Sequence, residues 1–233
     1  MHIGLIGGIG VAATVVYYQR LSAAVAARGK PLELTIVQAD VQELIRNNLA
    51  DEREAQAQVY AGLIDRLKAA GADCAAITSL GGHFCYAETV ARSSLPMVSA
   101  VKPLDAYFAS QGYGTVGLLG TRVVMRTKLY GQLVQTRAVA LEDEIETLGQ
   151  TYLDMAVTGA CSDADRATFL SAGQRMVDDL GADAIVLAGT DLNLAFDGQS
   201  PGYTVVDALD VHVDVLARLA TREMTLEQAG ADR

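Results

Sequence analysis

The sequence predicts an α/β fold: two pseudo-symmetric lobes, each a short parallel sheet flanked by helices, with a ligand cleft between them. Three observations lead there. Short apolar runs of strand length alternate with helical segments along the whole chain, the pattern of parallel βα units. Gly71-Ala72-Asp73, followed by an apolar run and then small and polar residues, returns 110 residues later as Gly181-Ala182-Asp183 with a similar sequel. Gly4-Leu5-Ile6-Gly7-Gly8 returns 113 residues later as Gly117-Leu118-Leu119-Gly120-Thr121. Two echoes at nearly one spacing indicate a duplicated half. The expected lobes are 1–100 with 208–233, the last helix packing back, and 101–207.

The elements follow in order. Residues 2–6 are a buried strand, and Gly7-Gly8-Ile9-Gly10 turns into a helix over 11–26. Glycines before a helix N-terminus suit an anion, with Gly8 and Gly10 as candidate contacts, and equally suit a tight turn without a ligand. The G-G-x-G spacing is not the dinucleotide fingerprint. Gly29 and Pro31 stop the helix, and 32–38 is the second strand. Residues 39–51 are expected to be a loop carrying Arg46, a clamp for a carboxylate or an ordinary solvated arginine. Val59, Leu63, Ile64 and Leu67 make one face of a helix over 53–70. The apolar run after Asp73 has the length of a strand buried on both faces. A helix from about His83 to Arg92 and a short strand at 96–98 follow.

Pro103 fits the first turn of the next helix. Residues 115–119 form a strand, a helix then reaches about Val134, 138–141 is strand-like, and 142–157 is helical. Ser162 and Asp165 resemble a capping box that opens the helix to Leu180. Strands at 183–188 and 203–206 flank the loop 198–202. Asp207 to Ala220 is the last helix, and 221–233 is expected to fray.

Composition bounds the function. The chain has 233 residues, 51% hydrophobic and 20% charged, so it folds around an ample core. A net charge of -10 argues against nucleic acid as a partner. Cys74, Cys85 and Cys161 are odd in number and form no C-x-x-C pair. That fits a reducing cytoplasm and no structural metal site. No basic stretch precedes the apolar start and no 18-residue apolar run lacks a charge, so neither a signal peptide nor a membrane span is expected.

Candidate chemistry gathers at the ends of the echoed strands, where open parallel sheets bind ligands. His83 titrates near neutrality and serves as an acid/base group or as an anchor of its loop. Asp191 serves as a base, holds an amine, or bonds nearby backbone amides. Thr121 and Thr190 bind a carboxylate or cap helices. Ser79 donates a hydrogen bond, or attacks as a nucleophile if His83 or Asp191 reaches it. Gly81, Gly82 and Gly189 enlarge a pocket or offer amides to an oxyanion. Cys74 is core; Cys85 and Cys161 are weaker candidates, Cys161 because a thiol before a helix can have a lowered pKa.

The order of motifs resembles the aspartate/glutamate racemase superfamily over nearly the whole chain. Members open with a G-G-M-G-P-x-A-T-like turn; here it is Gly7-Gly8-Ile9-Gly10-Val11-Ala12-Ala13-Thr14, then Tyr17 and Tyr18. Gly117 to Thr121 matches the family's G-L-L-G-T, with Met125 and Tyr130 in family-like places, and Asp207 with His212 resembles its D-x-x-x-x-H stretch. The family's C-N-T-A-H reads Ser79-Leu80-Gly81-Gly82-His83, and its G-C-T-E reads Ala188-Gly189-Thr190-Asp191. Both catalytic cysteines of the racemases are thus replaced, by Ser79 and Gly189, and the carboxylate-holding Asn-Thr pair by Leu80 and Gly81. A serine hydroxyl is a far weaker acid than a thiol, and glycine supplies no group.

The resemblance implies a cofactor-independent, racemase- or isomerase-like enzyme in a homodimer. It would act on a small carboxylate-bearing, amino-acid-like substrate by proton transfer next to the carboxylate, in the active-site cleft and without the two-thiol mechanism. Ser79, His83 and Asp191 are the candidate catalytic groups. Gly8, Gly10, Arg46, Gly81, Gly82, Thr121, Gly189 and Thr190 are the candidate substrate-binding residues; no metal or cofactor is expected. A lyase or decarboxylase on the same scaffold, a metabolite-binding pseudoenzyme, and a Ser79 hydrolase are the alternatives.

Overall fold

Two parallel sheets of four strands carry the chain. The structure is a computed structural model that describes residues 1–8 and 10–233. Ile9, part of the expected Gly7–Gly10 turn, lies outside the described residues. The chain divides into two compact units: Met1–Ala100 with Asp210–Arg233, and Val101–Leu209.

In the first unit the strands are β1 (His2–Gly7), β2 (Glu33–Gln38), β3 (Cys74–Ile77) and β4 (Met97–Val98), in the order β2-β1-β3-β4. The helices are α1 (Val11–Ala27), α2 (Val41–Leu49), α3 (Arg53–Ala69) and α4 (Tyr86–Val90). The second unit holds α5 (Lys102–Ser110), β5 (Thr115–Gly120), α6 (Arg122–Arg126), β6 (Arg137–Val139), α7 (Ile145–Thr158), α8 (Asp163–Leu180), β7 (Ala184–Ala188), α9 (Asn193–Phe196) and β8 (Val205–Asp207). Its sheet order, β6-β5-β7-β8, repeats the first. The last helix, α10 (Ala208–Ala220), starts at the unit boundary.

Both sequence echoes have structural causes. Gly71 and Gly181 take φ of +91° and +68°, left-handed values that end the preceding helices. The aspartate two residues on staples the start of the central strand. Asp73 accepts from the His2 amide at 2.8 Å, and Asp183 accepts from the Gly114 and Thr115 amides, each at 2.8 Å. The glycines of the second echo let a helix lie close on that strand. A Cβ on Gly4 would lie 2.9 Å from Leu67 Cδ1 of α3; one on Gly117 would lie 3.0 Å from Met176 Sδ of α8. Ile3, Leu5 and Ile6 of β1, and Val116, Leu118 and Leu119 of β5, are fully buried. Each such side chain contributes about 1.5–3 kcal/mol by leaving water.

Four expectations are corrected. Residues 39–51 are not a loop: Asp40 accepts from the Glu43 amide at 2.8 Å and caps α2, which buries Leu44. The helix after Thr121 stops at Arg126 rather than near Val134. Lys128, Leu129, Tyr130 and Gly131 all take positive φ, 51° to 66°, which no right-handed helix continues through. The last strand begins at Val205, two residues later than expected. Residues 221–233 do not fray: Met97 and Asp232 exchange antiparallel backbone bonds of 2.9 Å, so this segment covers the β4 edge.

Candidate active site

In both sheets the two central strands connect outward in opposite directions. Their ends are the switch points at which open α/β sheets take ligands. In the first unit these ends are Gly8, after β1, and Ser79, after β3. A Cβ on Gly8 would lie 2.4 Å from Ser79 Cβ, so the serine stands in the space that Gly8 leaves. Gln38 Nε2 donates to the Gly8 carbonyl at 3.1 Å. Thr78 Oγ1 donates to the Ile6 carbonyl at 3.0 Å and lies 3.1 Å from Thr14 Oγ1. Gly10 is the N-cap of α1 and offers no side chain.

His83 is buried, and both of its ring nitrogens are bonded to backbone. The Ala100 amide donates to Nε2 at 3.1 Å, so Nε2 is the acceptor and Nδ1 carries the proton. Nδ1 donates to the Ser79 carbonyl at 2.8 Å. The ring stacks on Tyr86 at 5.1 Å. Burial pushes the His83 pKa down to about 4, partly offset by the bond to Ser79. His83 is therefore neutral at pH 7, and it ties the β3 loop to the residue after β4. This geometry favours the anchor over the acid/base group.

The same bonds leave His83 unable to activate Ser79 as a nucleophile. His83 takes the Ser79 carbonyl and not its hydroxyl, and Ser79 Oγ accepts from the Gly82 amide at 3.2 Å. The Gly82 and His83 amides turn back onto Ser79 and Leu80, so they do not point out as an oxyanion hole. Gly82 is a packing glycine, since a Cβ there would meet Tyr60 Oη at 2.6 Å. Arg46 is exposed on α2. Its neighbour Asn48 reaches the β3 loop instead, donating to the Gly81 carbonyl at 3.0 Å.

In the second unit the strand ends are Gly120-Thr121 and Gly189-Thr190-Asp191. Thr121 is the N-cap of α6, accepting from the Val124 amide at 3.4 Å. Gly189 cannot carry a side chain as packed: a Cβ would lie 2.4 Å from Tyr152 Cε2 and 2.7 Å from Tyr152 Cζ. Tyr152 projects from α7, and its hydroxyl donates to Asp191 Oδ2 at 3.2 Å. Tyr152 is 2% exposed and Asp191 1%. Burial first, and then the Asp191 charge, hold the Tyr152 phenol well above its usual pKa, so it stays protonated and donates. A carboxylate shielded from water and held by a neutral donor can accept a proton from carbon and return it.

The structure thus brings Ser79, Gly81, Gly82 and His83 into one loop, and Gly189, Thr190 and Asp191 into one turn. Tyr152 was missed because nothing in the 142–157 helix pattern distinguishes it from a core tyrosine. The 3.6-residue spacing of Leu148, Tyr152 and Met155 marks only a buried face. The cysteines offer no active thiol. Cys74 and Cys85 are buried, and burial pushes both thiols up to about 12. Cys161 is raised, first by partial burial, where a lowering was expected.

Among the described residues no group of three metal-ligating side chains occurs, and no helix is long and apolar enough to cross a membrane. A cavity of about 810 Å³ in the first unit lies beside Asp73, Pro96 and Arg222, at the strand beginnings and away from Ser79.

The Asp/Glu/Hydantoin racemase family profile matches residues 6–216. No curated protein sequence matches. Among solved structures, a Yersinia pestis protein provisionally assigned as an Asp/Glu racemase superposes with a TM-score of 0.79 at 23% identity, over 95% of this chain and 100% of that one. An aspartate racemase from Picrophilus torridus gives 0.72 at 18% identity, over 99% and 95%. Arylmalonate decarboxylase, more distant, gives 0.52 at 15% identity, over 94% and 92%. These similarities extend to the two-sheet fold.

Proposed function

The chain belongs to the Asp/Glu/Hydantoin racemase family, and from that premise we propose that it is a cofactor-independent, isomerase-type enzyme that moves a proton next to the carboxylate of a small, amino-acid-like substrate, without the family's two thiols. Asp191 is the proton-transferring group in this reading. One observation carries it: two residues past Gly189, which stands where the family has its thiol, the chain keeps a buried carboxylate held by a phenol. In the step itself the C–H bond next to the substrate carboxylate breaks, and the proton goes to Asp191. The electron pair of that bond moves into the carboxylate as an enediolate until a proton returns to the carbon. Thr121, Thr190 and the glycines at the strand ends are the proposed contacts for the substrate carboxylate. Arg46, exposed on α2, is the proposed outer contact. His83 holds the loop that presents Ser79.

A second reading, lyase or decarboxylase chemistry, is favoured by the inequality of the two strand ends. One offers a buried carboxylate and the other a serine bonded within its own turn. A racemase needs a proton handler for each face of the carbon, whereas a decarboxylation needs a single proton donor. Arylmalonate decarboxylase among the structural neighbours agrees with this alternative. The reading also keeps the protein in the cytoplasm, where its free thiols fit, and as a homodimer, which sedimentation velocity checks.

The test is an NMR screen in deuterated water with a panel of amino acids and dicarboxylic acids. Deuterium at the carbon next to a carboxylate, lost in Asp191→Asn, supports isomerase-type proton transfer. A new product with one carboxylate fewer supports the decarboxylase. Binding without exchange or product sinks both and leaves a metabolite-binding protein.

A further inference from the structure

The two strand ends solve one packing problem in opposite ways. After β3 the side chain of residue 79 is present, and its neighbour Gly8 has none. After β7 residue 189 has none, and the neighbour, Tyr152, fills the space: a Cβ at 189 would lie 2.4 Å from Tyr152 Cε2 and 2.7 Å from Cζ. A thiol sulfur stands one bond beyond its Cβ, and the phenol oxygen stands one bond beyond Cζ. A residue-189 side chain and the tip of the tyrosine therefore compete for one volume. The phenol places a hydroxyl there and aims it at Asp191 Oδ2, 3.2 Å away. As packed, a side chain at 189 and the Tyr152–Asp191 bond exclude one another.

Resting on the reading of Asp191 given above, we propose that Tyr152 is the positioning residue of the β7 strand end. Its ring takes the place of a side chain at 189, and its O–H orients the Asp191 carboxylate that accepts the substrate proton. The phenol keeps its own proton throughout: it donates a hydrogen bond to one carboxylate oxygen before transfer and releases none. Because a donor to the carboxylate favours its charged form, it also extends the pH range over which Asp191 can act as a base.

Two experiments on the 233-residue chain separate placement from function. The first needs no substrate. Gly189→Ala is expected to lower the thermal midpoint by several degrees in the wild-type background. In a Tyr152→Ala background, which removes the two shortest contacts, it is expected to cost clearly less, the remainder coming from Gly120 Cα, 3.0 Å from the same Cβ. Equal losses in both backgrounds overturn the placement.

The second compares Tyr152→Phe with wild type in the deuterium-exchange assay on the panel compounds. The prediction is at least a tenfold lower kcat, KM within about twofold, and an acid limb of the pH–rate profile moved to higher pH. In an Asp191→Asn background Tyr152→Phe should add no further loss. Unchanged kcat and profile in a folded Tyr152→Phe protein would make the tyrosine a filler and overturn the positioning role, with Asp191 untouched. If the wild-type protein exchanges nothing, the reading of Asp191 fails and the positioning role fails with it, while the stability cycle still decides the placement.

Discussion

Replacing His83 by alanine should destabilise the first unit far more than loss of an exposed histidine would. The ring bridges two buried backbone groups, the Ser79 carbonyl at 2.8 Å and the Ala100 amide at 3.1 Å. Leaving a buried polar group unpaired costs about 1–3 kcal/mol. With the lost stacking on Tyr86, the expected cost of His83→Ala is about 3–5 kcal/mol. The pH dependence is diagnostic. Burial lowers the folded-state pKa to about 4, while an unfolded histidine titrates near 6.5. Between those values the unfolded chain binds the proton and the folded one does not, so stability falls as pH drops from about 6.5 to about 4. The buried His212, lowered by burial to about 3 and bonded to Tyr17 at 2.9 Å, adds a loss of the same sign. Urea unfolding at pH 7.5 and pH 5 checks this. Wild type should lose on the order of 2 kcal/mol between the two from His83 alone, and His83→Ala should lack that share. A cost below 1 kcal/mol for His83→Ala, or an equal pH loss in both proteins, would refute the anchor and return His83 to the acid/base candidates.

The remaining predictions concern the frame around the site. Asp183→Ala removes the acceptor of two strand-start amides and should cost about 1–2 kcal/mol, about twice Asp73→Ala, by urea unfolding. Asp105 accepts from the Val134, Gln135 and Thr136 amides at 2.9–3.2 Å; burial opposes its charge, and those amides outweigh burial and lower its pKa. Its contribution should be complete above pH ~4 and vanish as pH falls through the lowered value, and Asp105→Ala should cost about 2–4 kcal/mol at pH 7. Lys128 sits at φ 51° in the left-handed turn, so Lys128→Gly should raise stability by up to about 1 kcal/mol; a lower thermal midpoint would contradict this.

Much of the fold was legible because it rests on local pattern. Apolar runs, the stop glycines and the two echoes located β1, β3, β5 and β7. The echoes were read as a duplicated half, and the two sheets repeat one strand order; within it Asp73 and Asp183 staple strands and Gly4 and Gly117 admit a helix. α2 was missed because its cap, Asp40, sits in a polar stretch that reads as loop. The turn at 128–131 was missed because Lys, Leu and Tyr give no sign of left-handed backbone. At the site, the sequence placed Ser79, His83 and Asp191 at strand ends, but the partner of each side chain is set by tertiary packing. The His83 bonds to Ser79 and Ala100, and the Tyr152 bond to Asp191 from a helix 39 residues away, exist only once the chain has folded.

The central claim is proton transfer at carbon by a carboxylate, with no thiol involved. Deuterium incorporation next to the carboxylate of a panel compound, measured before and after iodoacetamide treatment and in Asp191→Asn, tests it most directly. Incorporation that survives alkylation and disappears in Asp191→Asn is the predicted result. Loss of incorporation on alkylation, or its persistence in a folded Asp191→Asn protein, would contradict the claim.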